Sequence, residues 1–218
     1  EGWPCWAVSN HDVRRAVSRW GGDEPSPQLA RMLVAMVCSL RGSVCLYQGE
    51  ELGLPEAEVP YEALRDPYGI TFWPNFKGRD GCRTPMPWTE AADAGFSAGK
   101  PWLPVPASHR QHSVQAQDAD PDSVLNSARR FLRWRSTRPA LVGGSIRFLD
   151  TPEPVLAFYR EQSGQCLLAA FNLSTDPAAL ALPDGDWDPE VGHGFAQNSG
   201  FSEGKVLLPG YGVFFARA

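Results

Sequence analysis

The strongest constraint on what this chain can fold into is the alternation between Cys5 and Glu51. A short apolar run from Cys5 to Ser9 stops at Asn10-His11-Asp12, as a buried strand does where it emerges into a loop. A polar stretch then ends in Ser26-Pro27, an N-cap followed by proline at the first helical position. The helix predicted from there runs to about Leu40. Its apolar residues Leu29, Met32, Leu33, Met36, Val37 and Leu40 recur at three and four, and Arg41-Gly42 supplies the stop. Ser43 to Tyr47 reads as a second short buried strand, ending in Gln48, Gly49, Glu50 and Glu51. A strand, a crossover helix and another strand predict parallel α/β architecture, in which function sits at the carboxyl ends of the strands.

From Leu52 to Asp120 no clear period survives, and a loop of that length inside a compact domain calls for a functional reason. Gly 21 and Pro 20 in 218 residues exceed the usual combined share of about 12%, which fits long, sharply turned loops. Asp120-Pro121 is expected to open a second helix, with Val124, Leu125, Ala128, Phe131 and Leu132 on one face and an end before Pro139. Beyond it the period changes to two. Short β-rich runs at Ile146–Leu149, Val155–Arg160, Cys166–Asn172, Ala179–Leu182, Lys205–Leu208 and Val213–Ala216 are separated by turns such as Pro183-Asp184-Gly185 and Pro209-Gly210. They predict an antiparallel sandwich or meander. The expected organisation is an α/β portion over residues 1–139, including the long loop 52–120, followed by an antiparallel all-β domain over 140–218.

Composition removes several classes. With 43% hydrophobic, 21% charged and 11% aromatic residues, the chain can offset the entropy of ordering, which excludes disorder. No stretch approaches the roughly 20 apolar residues that a spanning helix needs, so no membrane partner is expected. A net charge of −5 argues against a nucleic-acid partner, because readers of phosphate backbones carry a basic stripe. The five cysteines are odd in number and show no CxxC pair, so neither a zinc site nor a disulfide framework is indicated. Free thiols fit a reducing compartment, which points to the cytoplasm, with the periplasm as the alternative. The eight tryptophans are assigned to the core ahead of a sugar-facing role. Starting at Glu1 on an apolar run, the sequence reads as a piece of something longer, with any signal peptide upstream.

Asn10-His11-Asp12 alone is a weak signal, since a His beside an Asp commonly forms a satisfied polar pair. Its position changes that weighting, because the carboxyl end of a parallel strand is where barrel enzymes place catalytic groups. His109, His112 and His193 lack partners at metal-ligand spacing and read as surface residues.

Four ordered stretches carry a family resemblance: SNHDVRRAVSRWG (Ser9 to Gly21), YQGEELGLP (Tyr47 to Pro55), GRDGCRTPMPW (Gly78 to Trp88) and AGFS (Ala94 to Ser97). Together they resemble the α-glucosidases and oligo-1,6-glucosidases of the α-amylase family of glycoside hydrolases. Within that family they are similar to bacterial α-glucosidases with a short loop after the last barrel strand. The resemblance spans the chain and implies the C-terminal part of a (β/α)8 TIM barrel, with Asn10-His11-Asp12 closing strand seven and Tyr47–Glu51 following strand eight. An antiparallel all-β C-terminal domain would come next. It further implies that the nucleophilic Asp and the general-acid Glu precede residue 1, in an N-terminal part of the same enzyme.

Retaining glycoside hydrolysis passes through an oxocarbenium-like transition state, with one carboxylate attacking and a carboxylic acid protonating the departing oxygen. A third carboxylate assists by accepting hydrogen bonds from ring hydroxyls as positive charge spreads, and Asp12 fits that part. His11 would bind substrate and act electrostatically, without transferring a proton. Arg79 would bond a sugar hydroxyl and pair with an upstream carboxylate, or else pin the long loop through Asp80 or a neighbour. Arg83, beside the rigid Thr84-Pro85-Met86-Pro87 turn, reads as structural. Glu50 and Glu51 are expected to bond barrel loops, not to serve as acid and base. Phe72, Trp73 and Phe76 line the entrance or simply pack, with Phe72 the chosen substrate contact. The resemblance implies exo-acting cleavage of short α-glucosides such as maltose, with glucosyl transfer. No cofactor is expected in this chain, and a structural Ca or Mg is possible in the preceding part. Sucrose isomerase or trehalose synthase chemistry, or a non-catalytic binding subunit, are the alternatives.

Overall fold

The computed structural model describes residues 2–22, 25–195, 200–202 and 204–218. In chain order its first elements are β1 (Cys5–Trp6), α1 (Ala16–Gly21), α2 (Pro27–Ser39), β2 (Ser43–Val44), α3 (Pro67–Phe72), α4 (Ala107–Gln111), α5 (Val114–Ala119), α6 (Val124–Ser136) and α7 (Pro139–Gly143). The strands β3 (Ser145–Phe148), β4 (Val155–Gln162), β5 (Gln165–Asn172), β6 (Ala178–Ala181), β7 (Asp188–Pro189), β8 (Gly200–Ser202), β9 (Lys205–Leu208) and β10 (Val213–Arg217) follow. The chain forms two compact units. One takes the first residues through Trp6, Arg31–Cys45 and Ser127–Ala218, and the other takes Ala7–Ala30 and Leu46–Asn126.

In the first unit β1 and β2 pair in parallel, Cys5 with Ser43 and Trp6 with Val44. The strand, helix, strand order read from the sequence is therefore present, but both strands are shorter than expected and less buried. Gly42 delivers the second strand at φ 135, and a Cβ there would lie 2.5 Å from the Pro4 carbonyl oxygen, so only glycine fits. The helix α2 starts where Ser26-Pro27 predicts, with Ser26 Oγ accepting from Leu29 N at 3.2 Å. It buries more than one face, since Val34, Ala35 and Cys38 are enclosed along with Met32, Leu33 and Val37.

The strands of this unit form a five-stranded sheet in the order β3-β4-β5-β10-β7 and a three-stranded sheet, β6-β9-β8. All their pairings are antiparallel. β10 sits between β5 and β7, which makes the order something other than a meander. Alternation sorts the side chains into two layers. Val155, Ala157, Tyr159, Leu168, Ala170, Phe214 and Ala216 pack with Leu180, Val206 and Leu208 of the smaller sheet. On the opposite face Phe215 meets Phe131 and Trp134 of α6, and Phe171 packs edge-on against Phe215. Arg160 is fully enclosed and gives its guanidinium to the carbonyls of Ser39, Gly144 and Ser145, while burial pulls its pKa down to about 10.

Several expectations need correction. The cap of α6 is Ser123, whose Oγ accepts from Asn126 N at 3.1 Å, and Asp120-Pro121 forms the turn before it. Leu132 is exposed, and Trp134 takes the buried place. Among the tryptophans, Trp3, Trp6, Trp20, Trp73, Trp88 and Trp102 are exposed rather than core. Some of those rings are covered by basic side chains, as Arg41 lies over Trp3 and Arg19 over Trp20. Among the described residues no helix is long and apolar enough to cross a membrane.

The second unit holds the whole of the long loop. It is not structureless, since α3, α4, α5 and 3-10 turns at Glu50–Leu52, Tyr61–Ala63 and Asp80–Cys82 punctuate it. Small apolar nuclei fix it, one of Leu52, Leu54, Met86 and Leu125 and another of Ala57, Val59, Leu64 and Leu103. Arg15 is its polar hub: buried at 3% exposure, it donates to the Gln48 and Cys82 carbonyls, and its backbone N–H donates to Glu56.

Candidate functional site

Asp12 follows Asn10, whose Oδ1 accepts from the Asp12 N–H at 2.8 Å, an Asx turn that sets the loop. Its carboxylate, 49% exposed, receives two guanidinium groups on a single oxygen. Arg79 Nη1 donates to Asp12 Oδ1 at 3.0 Å and Arg83 Nη2 donates to the same atom at 2.9 Å. His11 Nε2 stands 3.4 Å from the other oxygen, Oδ2. Partial burial raises the Asp12 pKa, but the His11 charge and the two arginines outweigh it and hold the group below the usual carboxylate value.

Arg79 is aimed by Asp66, a fully buried carboxylate that caps α3 by accepting from Tyr68 N. Arg79 Nε and Nη2 donate to the two oxygens of Asp66 at 2.8 and 2.9 Å, and the Arg79 backbone N–H adds a third bond at 2.7 Å. This bidentate pair holds the Asp66 carboxyl far below its ordinary range, the Arg79 hydrogen bond being the largest cause. Within this chain the carboxylate that grips Arg79 is a neighbour in the long loop. It is Asp66, not Asp80, which instead accepts from the Arg65 and Asp66 backbone N–H groups.

Arg83 also reaches the His11-Asp12 loop. Besides Asp12 it donates from Nε to the His11 carbonyl at 2.7 Å. The next residue, Thr84, is buried against His109. Since a carbonyl cannot donate, the 2.8 Å contact of His109 Nε2 with Pro55 O places the ring proton on Nε2, and Nδ1 accepts from the Thr84 hydroxyl at 3.2 Å. Burial keeps this imidazole neutral, its pKa pushed down to about 4. His109 and His193 are both enclosed, which corrects their assignment to the surface.

A cavity of about 380 Å³ opens beside Asp12, in the size range of small-molecule sites. Arg79, Glu56, Glu58, Phe76 and Lys77 also line it, and Lys77 pairs with Glu58. Burial raises the Glu56 pKa, partly offset by Arg15. Phe72 does not line this cavity; its exposed ring stacks on Tyr68, over which Arg79 lies. Glu50 and Glu51 accept from backbone N–H groups of their own turn, those of Tyr47 and Gly49. Among the described residues no three His, Cys, Asp or Glu side chains converge as metal ligands.

Of the residues singled out from sequence, His11, Asp12 and Arg79 are brought together and Phe72 is set apart. Asp66 and the Glu58–Lys77 pair were missed, and Arg83 reads from sequence as structural, without its bond to Asp12. For Asp66 a local signal existed, the Asp-Pro that opens α3; Arg83 stands in the Gly78–Trp88 stretch that carries the resemblance, but nothing local ties it to Asp12.

Comparison with known proteins gives a consistent picture. The alpha-amylase catalytic-domain family model matches residues 1–144. A probable α-glucosidase of Rhizobium meliloti (strain 1021) is 50% identical over 218 residues, covering 100% of this chain and 39% of its own length. An oligo-1,6-glucosidase of Parageobacillus thermoglucosidasius is 31% identical over 204 residues, covering 84% of this chain and 36% of its own. The crystal structure of an α-glucosyl transfer enzyme, XgtA, superposes with a TM-score of 0.96 at 61% identity, covering 100% of this chain and 41% of that one. The chain therefore spans about two fifths of the length of the curated relatives it matches.

Proposed function

The chain belongs to the α-amylase family of glycoside hydrolases, and from that premise we propose that it is the carboxyl-terminal part of a retaining, exo-acting α-glucosidase that also transfers glucosyl groups. In this reading residues 1–139 complete a (β/α)8 barrel and residues 140–218 form an antiparallel β domain. The nucleophile and the general acid lie in the part of the enzyme that precedes it. The naming of a relative as an α-glucosyl transfer enzyme supports transfer to acceptors besides water. The substrates are short α-glucosides such as maltose, and the compartment is the cytoplasm. A structural Ca or Mg would be held by the preceding part.

The observation that carries the reading is the setting of Asp12. A carboxylate kept ionised, with Oδ1 engaged by two arginines and Oδ2 turned to His11, sits on the wall of a cavity of small-molecule size. Asp12 accepts hydrogen bonds from ring hydroxyls, and these strengthen as positive charge develops at the anomeric carbon. His11 donates beside it, and Arg79 balances the carboxylate charge. Phe76 forms an apolar wall, while Phe72 is left for parts of a substrate that reach past the cavity.

Asp12→Asn in the complete enzyme keeps the shape and removes the charge, so turnover should fall roughly 10²–10³-fold. Near wild-type turnover would remove Asp12 from the mechanism. Product analysis on maltose and sucrose checks the reaction class: free glucose and glucosylated acceptors support the proposal, and isomerised disaccharide as the main product would replace it with isomerase chemistry.

A further inference from the structure

We propose that Arg83 is the positioning residue that presents Asp12 to the substrate, a role that rests on the reading of Asp12 above. A carboxylate on a half-exposed aspartate is rotationally soft, because its terminal torsion has broad wells. Something must therefore decide which oxygen meets the sugar. Arg79 cannot do this alone. Its Nε and Nη2 are committed to Asp66, and only Nη1 reaches Asp12. Arg83 grips the site differently: Nε holds the His11 carbonyl at 2.7 Å and Nη2 holds Asp12 Oδ1 at 2.9 Å. One planar guanidinium thus fixes the backbone before Asp12 and the carboxylate itself, across 72 and 71 residues of chain. With Arg79 on the same oxygen, Oδ1 is occupied and Oδ2 becomes the atom offered to a hydroxyl.

The arginine is itself well seated. Thr84, the next residue, is enclosed and tied through His109 to the Pro55 carbonyl, and the Arg83 N–H bonds Asp80 O at 3.0 Å. A lysine at this position would supply charge but not two donors held in one plane, so Arg and Lys are not equivalent here. A role confined to pinning the loop would make the cost of losing Arg83 the same whether or not Asp12 carries a charge. A positioning role makes the effect of Arg83 depend on it.

The test is a double-mutant cycle in the complete enzyme, with kcat and KM on maltose for Arg83→Ala, Arg83→Lys, Asp12→Asn and the combined variants. The expected result is a kcat lower by roughly tenfold to 10²-fold in Arg83→Ala, as for misplacement of a catalytic group by about 1 Å, with KM changed much less. Arg83→Lys should recover little of that loss, and added guanidinium ion should restore part of the kcat of Arg83→Ala. In the Asp12→Asn background, Arg83→Ala should have almost no further effect. The same fold-loss in both backgrounds, or a change confined to KM, would overturn the proposal while leaving Asp12 in place. Wild-type turnover in Asp12→Asn alone would instead sink the reading of Asp12 and this role with it. If Arg83→Ala does not accumulate as folded protein, Arg83→Lys carries the same cycle.

Discussion

Acidification should weaken this protein through a histidine that no reaction step uses. His109 is enclosed, with its ring donating to Pro55 O and accepting from Thr84, and burial holds its pKa at about 4 against an ordinary 6.5. Between those values the unfolded chain takes up a proton that the native state refuses. The contribution is complete above about pH 6.5 and is lost as pH falls toward the native pKa. The whole shift corresponds to about 3 kcal/mol, of which about 2 kcal/mol is lost between pH 7 and pH 5. Urea unfolding of the complete enzyme at those two pH values, for wild type and His109→Gln, reads the effect. His193, also held low by burial, and Glu50 and Glu56, pushed up by burial, are present in both proteins and cancel. Wild type should lose about 2 kcal/mol more than the variant. An identical pH dependence in the two proteins would refute the neutral, enclosed imidazole and the hydrogen-bond chain drawn through it.

Asp66→Asn should destabilise the enzyme by about 3 kcal/mol, the lower end for a broken buried pair because Arg79 stays partly in water. It should also lower turnover by releasing Arg79, and calorimetry with maltose kinetics reads both; unchanged stability would contradict the buried pair. Gly69→Ala should cost about 1–3 kcal/mol, because the added Cβ would lie 2.6 Å from the Lys77 carbonyl oxygen where α3 meets the Arg79 segment. Gly99→Ala, with open space around the new methyl, is the matched control and should melt like wild type.

What the sequence discloses is the part fixed by near neighbours. Ser26-Pro27 sets the start of α2 because capping acts over three residues. The runs Val155–Arg160 and Cys166–Asn172 place β4 and β5 because a short, nearly continuous apolar run suits a strand buried on both faces. The same local rules misplace the start of α6, where both Asp120 and Ser123 offer capping groups and only packing decides between them. At the site, His11 and Asp12 stand out by their place at a strand end and Arg79 by its motif. Arg83 belongs to the same motif, but its place at the site does not show, because its bonds to His11 and Asp12 join positions that no periodicity relates. For the tryptophans, composition points to the core and the structure exposes most of them. Their size favours burial, but indoles at Trp3 and Trp6 find hydrogen-bond partners, Ser43 Oγ and Arg41 O, while remaining exposed.

The most direct measurement is a structure of the complete enzyme with a glucose-shaped iminosugar that mimics the charged transition state. Asp12 Oδ2 should accept a ring-hydroxyl hydrogen bond at about 2.7 Å, with Oδ1 still shared by Arg79 and Arg83. An inhibitor seated away from this cavity, or a carboxylate turned from the sugar with no hydroxyl in reach, would contradict the account.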